Sequence, residues 1–446
     1  MLSEIRIPPR RFPSQRWLVM AGGLLLELAY LYLRRLGNLE LFVVAFIATG
    51  FAAGVLYFIF LYLFEHSSDS RAGLWLILAT AVLFRLTLCP LAPTLSEDLY
   101  RYRWDGRVQL AGWNPYAVKP NDPRLNDLRE AGVPHFPAPE MPTIYPPLAE
   151  LTFREAARYL PTPQLFKSVT AGADLLTLFL LAAWLRRIGA RNYQLAIYAW
   201  NPLVIVEFAG SGHSDALALA LLVGALVIIR SRPRESTMVL AGAALVKSFP
   251  VMLIPLWLRW HGWPQRARAW WEGVSAAALA ALCAWPYRSA LREIPVTMAY
   301  FESRWQDNNA SLYALLRAGS GSHEIAAGIG VGVTLGLACW TAMRKMEPER
   351  AAYIIIGAIL MFTPNAYSWY FTWLVPLLCL FPNPAWLLLT VLQFLSYHVL
   401  IDYQVFGTFR FQPGYVFLTY APFYAWLLFD RMLRKPPLRD AAGQAV

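Results

Sequence analysis

The chain has 446 residues, of which 57% are hydrophobic and only 15% charged, with a formal net charge of +11. A soluble protein of this length could not bury so much apolar surface, and runs of about 20 apolar residues, enough for a helix to cross a bilayer, recur from end to end. The positive balance does not mark a nucleic-acid binder, because the Lys and Arg residues gather in short segments between apolar runs, as they do beside membrane spans. Closed membrane barrels alternate apolar and polar residues, and these runs do not, so the expected class is an all-α polytopic membrane protein. Cys89, Cys283, Cys339 and Cys379 lie in or at the ends of apolar runs and form neither a disulfide framework nor a metal-ligand spacing.

In chain order, about twelve spans are expected, at roughly 17–36, 39–64, 72–93, 165–185, 192–210, 215–230, 269–286, 323–343, 350–364, 368–381, 385–401 and 413–430. The first starts near Trp17 and lacks a small-x-small cleavage site, so it reads as a retained span and not a signal peptide. Basic clusters at 6–16, 186–191, 230–234, 259–268, 344–350 and 431–435 put both termini on the cytoplasmic side; Arg34 and Arg35 are the pair that falls outside. Segment 237–258 has basic clusters on both flanks and Lys247, Ser248 and Pro250 in its middle. It is expected to form two short helices of a re-entrant or partial hairpin with Lys247 near the turn. Irregular backbone at that depth is tolerated only against protein or a wet cavity.

This arrangement sends 94–164, 210–214, 286–322, 365–367 and 402–412 to the outer side. The first loop is roughly 70 residues long, well beyond an ordinary connection, and opens on SEDLYRYRWDGRVQLAGWNPYAV. Residues 97–111 and 148–159 pattern as short amphipathic helices on the membrane surface. With Ser96 as cap and Glu97 as the first helical residue, Asp98, Arg101, Tyr102 and Asp105 share one face. Such a face holds a carboxylate able to take a proton from an attacking hydroxyl, beside a cation able to neutralise a leaving phosphate. The same residues also suit a plain interfacial helix, in which Arg and Asp pair and the Tyr and Trp rings anchor to headgroups.

Farther on, AWNPLVIVEFAGSGHSDALALA at 199–220 puts Glu207, His213 and Asp215 at the outer ends of two spans. Ionisable groups at that depth are costly; they either function or bind helices together. Lys247 carries the same two readings, the structural one being an ion pair with Glu207 or an acidic loop residue. Arg85, in the outer half of its span, is read as structural. AYFESRWQDNNASLYALL at 299–316 offers Glu302, Arg304 and Asp307. FTPNAYSWYFTWLVPLL at 362–378 puts Asn365, Tyr367, Trp369 and Tyr370 at the mouth of a span, where aromatic rings form an interfacial belt and can also stack on a sugar or a prenyl chain.

The opening stretch, followed in order by IYPPLAE, WNPLVIVEFAGSGHSDAL, LVKSFPVMLIPL and TPNAYSWYFTWLVPLL, resembles the bacterial polyprenol-phosphate-mannose-dependent mannosyltransferases of the GT-C superfamily over about residues 72–381. The resemblance implies a GT-C type fold in the bacterial cytoplasmic membrane, paired surface helices in the first outer loop, and an inverting transfer at the outer face. It implies a catalytic-base aspartate at Asp98, with Glu97 beside it as a conservative departure from the Ser-Asp-Asp pattern. The donor it implies is a hexose, mannose by resemblance, on a polyprenyl phosphate; the acceptor is a hydroxyl of a glycan or glycolipid, and membrane lipids surround both.

The expected substrate-binding residues are Glu97, Arg101, Tyr102, Asp105, His213, Asp215, Lys247, Arg304, Tyr367 and Tyr370, with Arg101, Arg304 or Lys247 holding the leaving lipid phosphate. No cofactor is required and no metal ligand is assigned, although Glu97, Asp98, His213 and Asp215 form an oxygen-rich set that suits Mg²⁺ or Mn²⁺. Residues 1–71 are then an added N-terminal hairpin, 72–343 the catalytic core and 344–446 a C-terminal transmembrane module. The alternative is a transporter or flippase of lipid-linked sugar. It predicts internal pseudo-symmetry around a midplane site, whereas here no strong repeat is evident and the polar groups gather on one side.

Overall fold

The computed structural model describes residues 13–129, 138–304, 309 and 311–433, and every regular element among them is helical. Among the described residues, six helices are long and apolar enough to cross a membrane: α1 (Gln15–Leu36), α2 (Val43–His66), α3 (Arg71–Leu88), Pro163–Arg187, His323–Met343 and the composite Pro384–Phe406. Each coincides with an expected span. The other six of the expected twelve lie in helical segments that are shorter, interrupted or more polar.

The long loop contains its two expected helices, α4 (Asp98–Leu110) and α5 (Pro147–Tyr159). α4 begins at Asp98, one residue later than expected, with Glu97 in the capping position and Ser96 Oγ accepting from the Asp98 amide at 3.2 Å. It is more than a surface helix, since Leu99, Tyr102, Trp104 and Val108 are buried along with Arg101 and Asp105. α4 crosses α5 so closely that a Cβ at Gly106 would stand 2.3 Å from the Phe153 carbonyl oxygen. Beside this crossing Tyr102 stacks on Phe153 at 4.5 Å.

α6 (Pro163–Arg187) starts where Thr162 Oγ accepts the Leu165 amide. It packs against α7 (Asn192–Ala199) and the turn that follows α8 (Pro202–Ile205). Expected span 192–210 is broken here for a local reason. Pro202 supplies no amide hydrogen to a continuing helix, and Asn201 Oδ1 instead caps the next turn by accepting from the amides of Leu203 and Val204. From α8 the chain widens into a π-helical turn, Val206–Ser211, and leaves it through Gly212 at φ +82°.

Arg85 of α3 ties this region together. Its Nε lies 2.7 Å from Asp174 Oδ2 on α6, and its guanidinium also donates to the carbonyls of Ala81 and Ala199. Tyr198 donates to Asp174 Oδ1 at 2.7 Å. A charge buried this deeply persists because it is paired and hydrogen-bonded, which is the structural role expected of Arg85.

α9 (Asp215–Ile228) packs against both α6 and α10 (Pro233–Val246). α10 and Ile254–Trp260 form the expected hairpin of short helices, with Lys247 in the extended break and Trp257 Nε1 donating to Ser236 Oγ across it at 2.8 Å.

Candidate active site

Four segments meet at the start of α4: Asp98 itself, the turn at 206–215, the hairpin break at Lys247, and the stretch 367–373. The Asp98 side chain is 24% exposed. Tyr102, one helical turn on, donates to Asp98 Oδ2 at 3.4 Å. Behind Asp98 stands His213, fully buried, with Nε2 4.0 Å from Asp98 Oδ2 and Nδ1 3.1 Å from Glu207 Oε2.

The π-helical turn brings Glu207 and His213 together, because the Glu207 carbonyl accepts the amides of both Gly212 and His213 at 3.1 Å. This reversal needs glycine at 212: the backbone is left-handed there, and a Cβ would also meet Lys167 Cγ at 2.7 Å. Lys167 is itself buried and donates to the carbonyls of Gly210, Leu88 and Leu91. It thereby ties the turn to the end of α3, just ahead of the loop that carries Asp98. Glu207 Oε1 is fixed in turn by donors from Ser368 at 2.7 Å and Tyr397 at 2.6 Å.

A second charged pair completes the site. Lys247 Nζ lies 3.0 Å from Asp215 Oδ2, and Asp215 Oδ1 accepts from Trp373 Nε1 at 2.7 Å. The ammonium also stands 5.2 Å from the centre of the Tyr370 ring, a cation–π distance. An aromatic ladder adjoins both charged groups. His213 stacks on Trp369 at 4.1 Å, Trp369 stacks on Tyr367 at 4.6 Å, and Tyr370 meets both of these rings edge-on. Tyr370 lies within electrostatic reach of Asp98 and of Asp215. Asp98, Lys247, Tyr367, Trp369 and Tyr370 are partly exposed, whereas Glu207, His213 and Asp215 are buried. The result is an accessible mouth with a carboxylate, an ammonium and ring faces, backed by a buried tier that holds them in place.

Of the expected site residues, Asp98, Tyr102, His213, Asp215, Lys247, Tyr367 and Tyr370 gather here. Glu97 is placed toward the N-terminal helices instead. Burial, with the charges of Glu40 and Asp98, pushes its carboxyl up to about 7. Arg101 and Asp105 are engaged with each other: Arg101 Nε is 3.0 Å from both Asp105 carboxylate oxygens, and its guanidinium donates to the Met141 carbonyl at 3.1 Å. The Arg–Asp pairing of the plain helix reading is therefore present, and it closes the long loop onto α4. Beside it, burial raises the carboxyls of Asp105 and Glu150, and the charge of Asp105 adds to the rise at Glu150. Thr143 and Gln109 donate to Glu150 at 2.6 and 2.8 Å.

Arg304 ends the helix Glu293–Arg304; its side chain, like Asp307, lies outside the described residues. Among the described residues no three His, Cys, Asp or Glu side chains group closely enough to hold a metal ion. Glu97, Asp98, His213 and Asp215 thus do not form a cation site: Glu97 faces Glu40, and both Asp215 oxygens are engaged by Lys247 and Trp373. Glu207 stands out in the sequence as a carboxylate in an apolar run, but its partners Ser368 and Tyr397 and the Trp373 indole carry no local signal of their part in the site.

A family model described as alpha-(1->6)-mannopyranosyltransferase, N-terminal domain, matches residues 16–261, more than half of the chain. The matched region takes in α1 and α2 and includes Asp98, the turn from Glu207 to Asp215, and Lys247; the aromatic ladder lies beyond it. No curated protein matches the chain.

Proposed function

The chain belongs to the alpha-(1->6)-mannopyranosyltransferase family, and from that premise we propose that it moves a mannose from a polyprenyl-phosphate donor to an acceptor hydroxyl, with inversion, at the outer face of a bacterial cytoplasmic membrane. Asp98 is the general base. The observation that carries this reading is the placement of Asp98: a carboxylate partly open to the mouth, oriented by Tyr102, within the same cluster as the partly exposed Lys247 ammonium.

The acceptor O–H gives its proton to Asp98 as the oxygen attacks the anomeric carbon. The bond from that carbon to the lipid phosphate breaks, and the departing phosphate carries the negative charge. Lys247 meets that charge; an ammonium has three donors, and Asp215 engages one side of it. Arg304, on the second outer loop, is the other cation assigned to the phosphate. The faces of Tyr367, Trp369 and Tyr370 suit the sugar ring or the first prenyl units. A β-linked donor yields an α-glycoside by this route, in keeping with the linkage in the family description.

The test is transfer of label from radiolabelled polyprenyl-phosphate mannose to a membrane-extract glycan by the purified protein in nanodiscs, followed by linkage analysis of the product. An α-(1->6)-linked mannose is expected. No transfer from this donor, with transfer from another polyprenyl-phosphate sugar, would reassign the substrate.

A further inference from the structure

The buried tier behind Asp98 does more than fill space. His213 Nδ1 lies 3.1 Å from Glu207 Oε2 and 3.3 Å from the Glu207 carbonyl oxygen. Both are acceptors, so in the neutral ring the proton sits on Nδ1 and Nε2 presents a lone pair. That Nε2 is buried, has no hydrogen-bond partner among the described residues, and faces Asp98 Oδ2 at 4.0 Å. The plane of the ring is set by its stacking on Trp369. Glu207 cannot turn away, because Ser368 and Tyr397 hold its other oxygen. Two acceptors held face to face, the imidazole one fully buried, cost free energy unless a proton comes between them.

We propose that His213, held by Glu207, is the positioning residue that receives the proton Asp98 takes from the acceptor. The inference rests on the reading of Asp98 as the base. In the first step the acceptor O–H bond breaks and an O–H bond forms on Asp98. In the second, once the two groups close from 4.0 Å to hydrogen-bond distance, that bond breaks and an N–H bond forms at His213 Nε2, which returns Asp98 to the carboxylate. The resulting imidazolium lies against Glu207. The charged groups facing it are Glu207, Asp98 and Asp215, with the Lys167 ammonium tied to the carbonyl of Gly210 in the same turn. Two carboxylates lie against the ring, and Asp215 adds to their field although Lys247 is paired with it, so the added charge is met.

The experiment compares wild type with His213→Asn and His213→Gln in nanodiscs, by transfer rate over pH 5–9 and by histidine ring nitrogen resonances. His213→Asn retains a donor on the Glu207 side and lacks the Nε2 position, so it separates folding from proton transfer; matched melting temperatures confirm folding. We expect kcat to fall on the order of 10- to 100-fold with donor KM unchanged. The wild-type rate should fall in acid as His213 becomes protonated beforehand, and that limb should be lost in the variant. Unchanged kcat and pH profile in both variants would overturn the proposal. If wild type transfers no mannose, the functional reading fails and the nitrogen resonances alone decide. A His213 signal that shifts on Asp98→Asn supports the coupling, and one that does not move overturns it.

Discussion

Lys247 and Asp215 hold each other across the break in the hairpin, with the ammonium 3.0 Å from Asp215 Oδ2 while Asp215 Oδ1 is engaged by the Trp373 indole. The carboxylate is fully buried and the ammonium is not. The pair therefore sets a cation at the mouth of the site on an anchor that cannot move.

Lys247→Gln removes both the cation and the partner of a buried carboxylate. It is expected to reduce transfer about 100-fold through charge-assisted contacts to phosphate, and to destabilise the protein by about 3–5 kcal/mol because Asp215 is left unpaired. The double variant Lys247→Gln with Asp215→Asn relieves the stranded charge. Its melting temperature should recover while its transfer rate does not. Recovery of both would make Lys247 a structural residue only.

Gly106 is the contact point of α4 and α5, where a Cβ would lie 2.3 Å from the Phe153 carbonyl oxygen. Backbone on the receiving side cannot give as a side chain could. Gly106→Ala is expected to cost about 1–3 kcal/mol by overpacking and to shift Tyr102 relative to Asp98. Calorimetry together with kcat checks this. A variant with wild-type melting and wild-type rate would show that the crossing has more slack than its geometry allows.

The apolar runs were legible because a membrane helix leaves a long, unbroken signal; α1, α2, α3 and α6 fall where hydropathy puts them. His213, Asp215 and Lys247 were legible because polar groups are rare at membrane depth, and Asp98 because the polar stretch that carries it resembles a known family. What hydropathy cannot see is backbone geometry. The stop at Asn201–Pro202 and the π-helical turn after it break an expected span and create the Glu207–His213 contact. Spacing along α4 also puts Arg101 equally near Asp98 and Asp105, and only packing against residues 138–141 decides for Asp105. Tyr397 reaches Glu207 across 190 positions of chain, a distance over which sequence pattern carries no information.

Glu97 links stability to pH. Its carboxyl, 4.5 by itself, is raised to about 7 in the folded protein, first by burial and then by Glu40 and Asp98. The folded state therefore holds this proton more tightly than the unfolded one. The stabilisation is full below about pH 4.5 and is lost as pH rises through 7. Glu97→Gln should melt with wild type at pH 4.5 and above it at pH 8.5, by on the order of 1 kcal/mol after allowance for solvent screening of a partly exposed group. Equal melting curves at pH 8.5 would show that Glu97 is solvated.

The most direct measurement is the rate of mannose transfer by Asp98→Asn against wild type, both shown to fold by their melting curves, at saturating polyprenyl-phosphate mannose. The substitution keeps the shape of the side chain and removes its capacity to take a proton. A general base contributes on the order of 10²- to 10⁴-fold, so transfer should fall by at least about 100-fold while donor KM is retained. A variant that still transfers mannose at the wild-type rate would contradict the account and move the base away from Asp98.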